Sequence, residues 1–87
     1  MSISLTLHAL SDNTRRRILE LLKKKDLPVG EIHGYFDLAG ASLSHHLSVL
    51  KQAGLVSARR KGQQIIYSLN MSVLEEIIEK LNKLYTK

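Results

Sequence analysis

Apolar side chains recur along this chain at two different periods, and the change of period divides it. Leu43, Leu47 and Leu50 are spaced i, i+4, i+7, which lays them on one stripe of an α-helix, while Ser44, His45, Ser48 and Gln52 fall on the other side. That other side is short, polar and uncharged. Ala53-Gly54 supplies a stop, because glycine enters the left-handed conformation without steric penalty. Upstream, Ile3, Leu7 and Leu10 mark a first helix near residues 2–10, too short to stand alone. Either Ser11 or Asp12 can cap a second helix, whose stripe Ile18, Leu21 and Leu22 runs into lysines at 23–25, where a helix C-terminus favours cations. Leu27-Pro28 is predicted to open a third helix, with Pro28 in its first turn and Val29, Ile32 and Phe36 on its buried side. Residues 37–40 are then a short turn, so that 28–53 reads as helix, tight turn, helix.

From Leu55 onward the period falls to two. Val56 to Arg60 and Gln64 to Leu69 have the character of strands, joined by Lys61-Gly62-Gln63. A β-hairpin directly after a helix-turn-helix is a wing. The final segment, from about Met71, carries Leu74, Ile77, Ile78, Leu81, Leu84 and Tyr85 at helical spacing. Its cap is either Ser72, which with Glu75 makes a capping box, or Asn70, which would let Leu69 staple onto Leu74. The pattern predicts a mainly α chain with a β-hairpin wing (α+β), a winged helix-turn-helix running helix-helix-helix-helix-strand-strand-helix as one domain over 1–87.

Composition narrows the partners. A single domain of 87 residues buries a modest core, so self-association would add stability. The stripe of the last helix reaches Tyr85, and Ile3, Leu7 and Leu10 also need cover. Pairing of the end helices, about 2–10 and 71–86, across a two-fold axis satisfies both, with Ile3, Leu7, Leu10, Leu74, Ile77, Ile78, Leu81, Leu84 and Tyr85 as the dimer interface. Thirteen Lys and Arg against eight Asp and Glu leave +5, which favours a polyanionic partner. The absence of cysteine removes disulfides and thiolate metal sites and fits a reducing cytoplasm. Apolar runs fall far short of the roughly 20 residues of a membrane span, and the start lacks a signal-peptide pattern. A soluble, cytoplasmic protein is the expectation.

Small side chains that both donate and accept hydrogen bonds suit a helix that touches base edges in a DNA major groove. Beyond this polarity, several strings carry a resemblance. Asp12-Asn13-Thr14-Arg15-Arg16-Arg17-Ile18-Leu19, Ser44-His45-His46-Leu47, Leu50-Lys51-Gln52-Ala53-Gly54-Leu55-Val56, Arg59-Arg60-Lys61-Gly62 and Tyr67-Ser68-Leu69, in this order, resemble the ArsR/SmtB winged-helix repressors over nearly the whole chain. The resemblance implies a homodimer that binds double-stranded DNA, represses transcription, often of its own operon, and releases DNA on a signal. Two departures stand out. Asn13 replaces a common proline, and Ala39-Gly40-Ala41 stands where a serine often starts the recognition helix, which removes a cap and some base-contacting hydroxyls. The residues nominated for DNA are Ser42, Ser44, His45, Ser48 and Lys51 on that helix, Arg16 from the upstream arginine run (Arg15 being the other candidate for phosphate there), and Arg59, Arg60, Lys61 and Gln63 in the wing. His46, nearer the apolar stripe, is expected to be packed and hydrogen-bonded.

No metal and no cofactor are expected. Where thiolate sensors of the family hold cysteines, this chain has Leu27, Pro28 and their neighbours, and from residue 71 onward it has neither His nor Asp. Glu75, Glu76 and Glu79 alone would make a weak site for a hard cation. His8, His33, His45 and His46 are not spaced as a ligand set, since adjacent helical residues diverge by about 100°. The chain thus resembles the metal-less autorepressor branch of the family. An enzyme is disfavoured, because no nucleophile sits beside an oriented base and no Gly-rich phosphate loop follows a strand. A winged helix that meets an acidic protein instead of DNA is the alternative, as is a repressor governed by an unrecognised ligand.

Overall fold

The computed structural model describes residues 2–86; Met1 and Lys87, the outermost positions of the expected domain, lie outside the described residues. Eight elements follow one another: α1 (Ile3–Leu10), α2 (Asn13–Lys24), β1 (Leu27–Pro28), α3 (Val29–Gly34), α4 (Gly40–Gln52), β2 (Val56–Lys61), β3 (Gln64–Leu69) and α5 (Met71–Tyr85). The helix-turn-helix and wing stand where the periodicity puts them, with one correction. Leu27-Pro28 does not open the third helix but forms a short strand, which pairs antiparallel with β3 through Leu27↔Tyr67 and Pro28↔Ile66. Pro28 lacks an N–H to give the ladder, which an edge strand tolerates. The sheet order is therefore β1-β3-β2.

Each local signal has a visible cause. Asp12 caps α2, its side chain accepting the backbone N–H of Arg15 at 3.0 Å. At the end of α4, Gly54 takes φ +78°, and the amides of Gly54 and Leu55 return to the carbonyls of Lys51 and Leu50 at 3.0 Å each, the two bonds of a Schellman motif. The wing turns on two residues, Gly62 and Gln63, with Gly62 at φ +64° in the first central position, as a type II′ hairpin requires. Asn70 precedes α5 as its cap residue, yet neither it nor Ser72 caps through its side chain. The Asn70 side chain is spent elsewhere: Nδ2 donates to the Gly54 carbonyl at 2.8 Å and Oδ1 accepts from Ser57 Oγ at 2.9 Å, while the Asn70 amide donates to Leu55 O at 2.9 Å.

The core lies between α2, α4 and the sheet, built from Ile18, Leu22, Leu27, Ile32, Leu43, Leu47, Leu50, Leu55 and Val56. Burying each such aliphatic side chain is worth roughly 1.5–3 kcal/mol. This core seats α4 by one stripe alone and leaves its other side to solvent. No helix among the described residues is long and apolar enough to cross a membrane.

Candidate nucleic-acid interface

Leu43, Leu47 and Leu50 are buried along the inner stripe of α4, while Ser42, Ser44, His45, Ser48, Lys51 and Gln52 are exposed on its outer surface. All five helix residues nominated for DNA are therefore exposed, with Ser44, His45 and Ser48 together on the outer face and Ser42 and Lys51 at its two edges, about 180° apart. The helix starts at Ala39 with no side-chain cap, as Ala39-Gly40-Ala41 led one to expect. His33 in α3 lies 2.7 Å from the Leu38 carbonyl through Nε2, which fastens the turn between the two helices.

The wing's cations are not equivalent. Arg59 is engaged within the protein: Nη1 lies 3.1 Å from Asp26 Oδ2 and 3.0 Å from Ser68 Oγ. Arg60 bonds only the hairpin's own Gly62 carbonyl, through Nε at 3.1 Å. Lys61 and Gln63 are exposed at the tip. Cross-strand register puts Arg59 opposite Ile66 and Arg60 opposite Ile65, so the two arginines project from opposite faces of the sheet.

The upstream arginine run divides three ways. Arg16 is exposed, with Nη1 on the Leu10 carbonyl at 2.7 Å. Arg17 stacks its guanidinium 4.9 Å from the centre of the Phe36 ring. Arg15, the other candidate for phosphate, is buried at 6% exposure and is thereby removed from the set. Its Nε donates to Ala9 O at 2.9 Å, Nη2 to His8 O at 3.0 Å, and Nη1 lies 3.1 Å from His46 Nδ1. His46 is accordingly half-buried and bonded, and Asp12 Oδ2 stands 3.8 Å from the same ring nitrogen. The Asp12 carboxyl is held below its ordinary value, first because it accepts the Arg15 amide, against a smaller opposing push from partial burial, with His46 and Arg15 nearby adding to the lowering. A helical signal for Arg15 existed: it sits three and seven residues before Ile18 and Leu22, on the buried stripe of α2.

The end helices split the apolar residues expected at a dimer contact. Ile77 is 1% exposed in the single chain and is spent on the protomer's own packing, a correction to its place on an intermolecular face. Leu10 and Leu74 are partly buried against the core. Ile3, Leu7, Ile78, Leu81, Leu84 and Tyr85 are exposed, and Ile3, Leu7, Leu81 and Leu84 line an apolar groove of about 410 Å³ edged by Lys80 and Lys83. Among the described residues no three His, Cys, Asp or Glu side chains converge on a point that could hold a metal ion.

Comparison with known proteins places this architecture. Residues 12–58, from the cap of α2 into the wing, match the family model described as bacterial regulatory protein, arsR family. The chain belongs to the ArsR family. Like the rest of that family it is a DNA-binding transcriptional regulator, not a member of an enzyme family. It is 53% identical over 70 residues to the transcriptional repressor SdpR of Bacillus subtilis, covering 80% of this chain and 78% of that protein. It is 35% identical to the transcriptional activator HlyU of Vibrio cholerae, covering 91% and 73%. The solved structure of HlyU from Vibrio cholerae N16961 superposes with a TM-score of 0.75 over 97% of this chain and 91% of that one, at 34% identity. In this ArsR-family chain the matched segment contains α4 and all five of the nominated helix residues.

Proposed function

We propose that this ArsR-family regulator is a homodimeric repressor that binds a palindromic operator with α4 in the major groove and the wing beside it. The observation that carries the reading is the sidedness of α4, whose exposed residues are the small Gly40 and Ala41, the polar Ser42, Ser44, His45, Ser48 and Gln52, and one cation, Lys51. Hydroxyls, amide and imidazole read base edges, and their small size lets the helix lie close to them. Arg16, Arg60 and Lys61, all exposed, supply phosphate neutralisation, which fixes register without reading sequence. The α1/α5 groove supports pairing by the two end helices, because its exposed leucines form a continuous apolar surface. Two α4 helices related by a two-fold axis then enter grooves one turn apart, about 34 Å. Repression is favoured over activation by the higher identity to SdpR than to HlyU. Selection of bound sequences from a random duplex pool, followed by footprinting, tests this: two inverted half-sites one helical turn apart are expected, and enrichment of sequences without two-fold symmetry, or no enrichment, refutes it.

A further inference from the structure

Arg15 is the only charged side chain in the buried set of the described residues, and it meets carbonyls more than carboxylates. Two of its nitrogens hold the His8 and Ala9 carbonyls in the last turn of α1, where the helix dipole is negative. Its third, Nη1, crosses to α4 and reaches His46 Nδ1 at 3.1 Å. A guanidinium has donors and no acceptor, so in this 3.1 Å contact Nδ1 can serve only as the acceptor. Position 46 lies three residues after Leu43 and four before Leu50, on the inward shoulder of α4. One side chain thus ties the end of α1 to the recognition helix. Asp12 holds the Arg15 backbone and stands at 3.8 Å from the same His46 nitrogen, which anchors the tie on the first turn of α2.

We propose that His46 is a positioning residue for operator recognition, acting as the acceptor through which Arg15 sets the angle between α1 and α4. This rests on the DNA-binding and dimer reading given above. If α1 belongs to the pairing surface, its angle to α4 sets the separation of the two recognition helices. A palindromic operator demands a particular separation, whereas random DNA, held through phosphates, does not. Loss of the tie therefore weakens operator binding more than it weakens binding to random duplex.

Two variants separate the acceptor from the mere filling of space. His46→Asn places an acceptor oxygen near the position of Nδ1, and His46→Leu fills the volume with none. His46→Leu is expected to lose about tenfold or more in operator affinity while random-duplex affinity changes less than about threefold. His46→Asn is expected to recover most of the difference. Thermal melting and sedimentation of each variant establish that the folded dimer is being compared. In the wild-type protein, a nitrogen-15 imidazole spectrum in mildly alkaline buffer is expected to show His46 with Nδ1 unprotonated and Nε2 carrying hydrogen. A proton on Nδ1, full operator affinity in His46→Leu, or an Asn substitution no better than the Leu one overturns the proposal. Should His46→Leu not fold, the spectrum and His46→Asn decide: loss of operator preference in His46→Asn overturns it. Wild-type protein with no preference for any operator sinks the DNA reading itself, whereas a wild-type preference fully kept by His46→Leu sinks the tie alone.

Discussion

The inequality between the wing arginines gives a number to measure. Arg59 is already matched by Asp26 at 3.1 Å, and a phosphate would have to displace that carboxylate to gain it. Arg60 gives up only a surface bond to Gly62 O. Each phosphate contact contributes about 0.9 to the fall of log affinity with log salt. In a symmetric dimer Arg60→Ala removes two such contacts, so the slope should become shallower by about 1.8. Across about a fourfold rise in salt, from roughly 50 to 200 mM, the wild-type protein should therefore lose about tenfold more affinity than Arg60→Ala does. Because phosphate contacts carry no sequence information, operator and random duplex should respond alike. Arg59→Ala should flatten the slope less, and Asp26→Asn, which frees Arg59, should steepen it. Fluorescence anisotropy titrations at four or five salt concentrations read all of this directly. An Arg60→Ala slope equal to wild type takes the wing out of the binding mechanism, and a larger effect from Arg59→Ala reverses the assignment.

Three further outcomes can be checked. Ser44→Ala or His45→Ala should lower the operator-to-random ratio by about 1–3 kcal/mol in a competition mobility shift, and equal losses on both DNAs would remove that residue from base reading. Leu81→Glu puts a charge into the α1/α5 groove and should yield monomers in sedimentation velocity with the helical spectrum retained; an intact dimer would move the pairing surface elsewhere. Asp12→Ala removes the α2 cap and should cost about 1 kcal/mol in urea unfolding near neutral pH. Since the folded Asp12 pKa lies below its ordinary 3.8, its stabilisation is complete above that value and fades as pH falls through the folded one. The wild-type acid limb below about pH 4 should accordingly be steeper than that of Asp12→Ala, and parallel curves would deny the linkage.

Local periodicity made the helices, the hairpin and the sides of α4 legible, since Leu43, Leu47 and Leu50 leave only one face for the serines and His45. The Leu27-Pro28 strand was not legible: two residues carry no period, and their partner Tyr67-Ile66 is about forty positions away. Proline after an apolar residue reads equally well as a helix start, and only the β3 edge decides. Arg15 hid in a triple-arginine string that looks like a solvated face, because burial of one member depends on carbonyls supplied by α1 and on His46 from α4. Charge counting cannot see such a partner. Ile77 and Ile78 are adjacent and equally apolar, yet one is sealed inside the chain and the other is 58% exposed, a division set by how α5 rests on the protomer.

The bonds around Asn70 bear on how such a regulator lets go. With its amide on Leu55, its Nδ2 on Gly54 and its Oδ1 holding Ser57, this residue clasps the bend between α4 and β2 just where α5 begins. A bend fastened at three points resists independent movement of α4 and the hairpin. If the protein pairs as proposed above, a signal that dislodges it would tilt helix and hairpin together by shifting one half of the pair against the other, and the shape of each half is expected to be nearly the same with and without DNA.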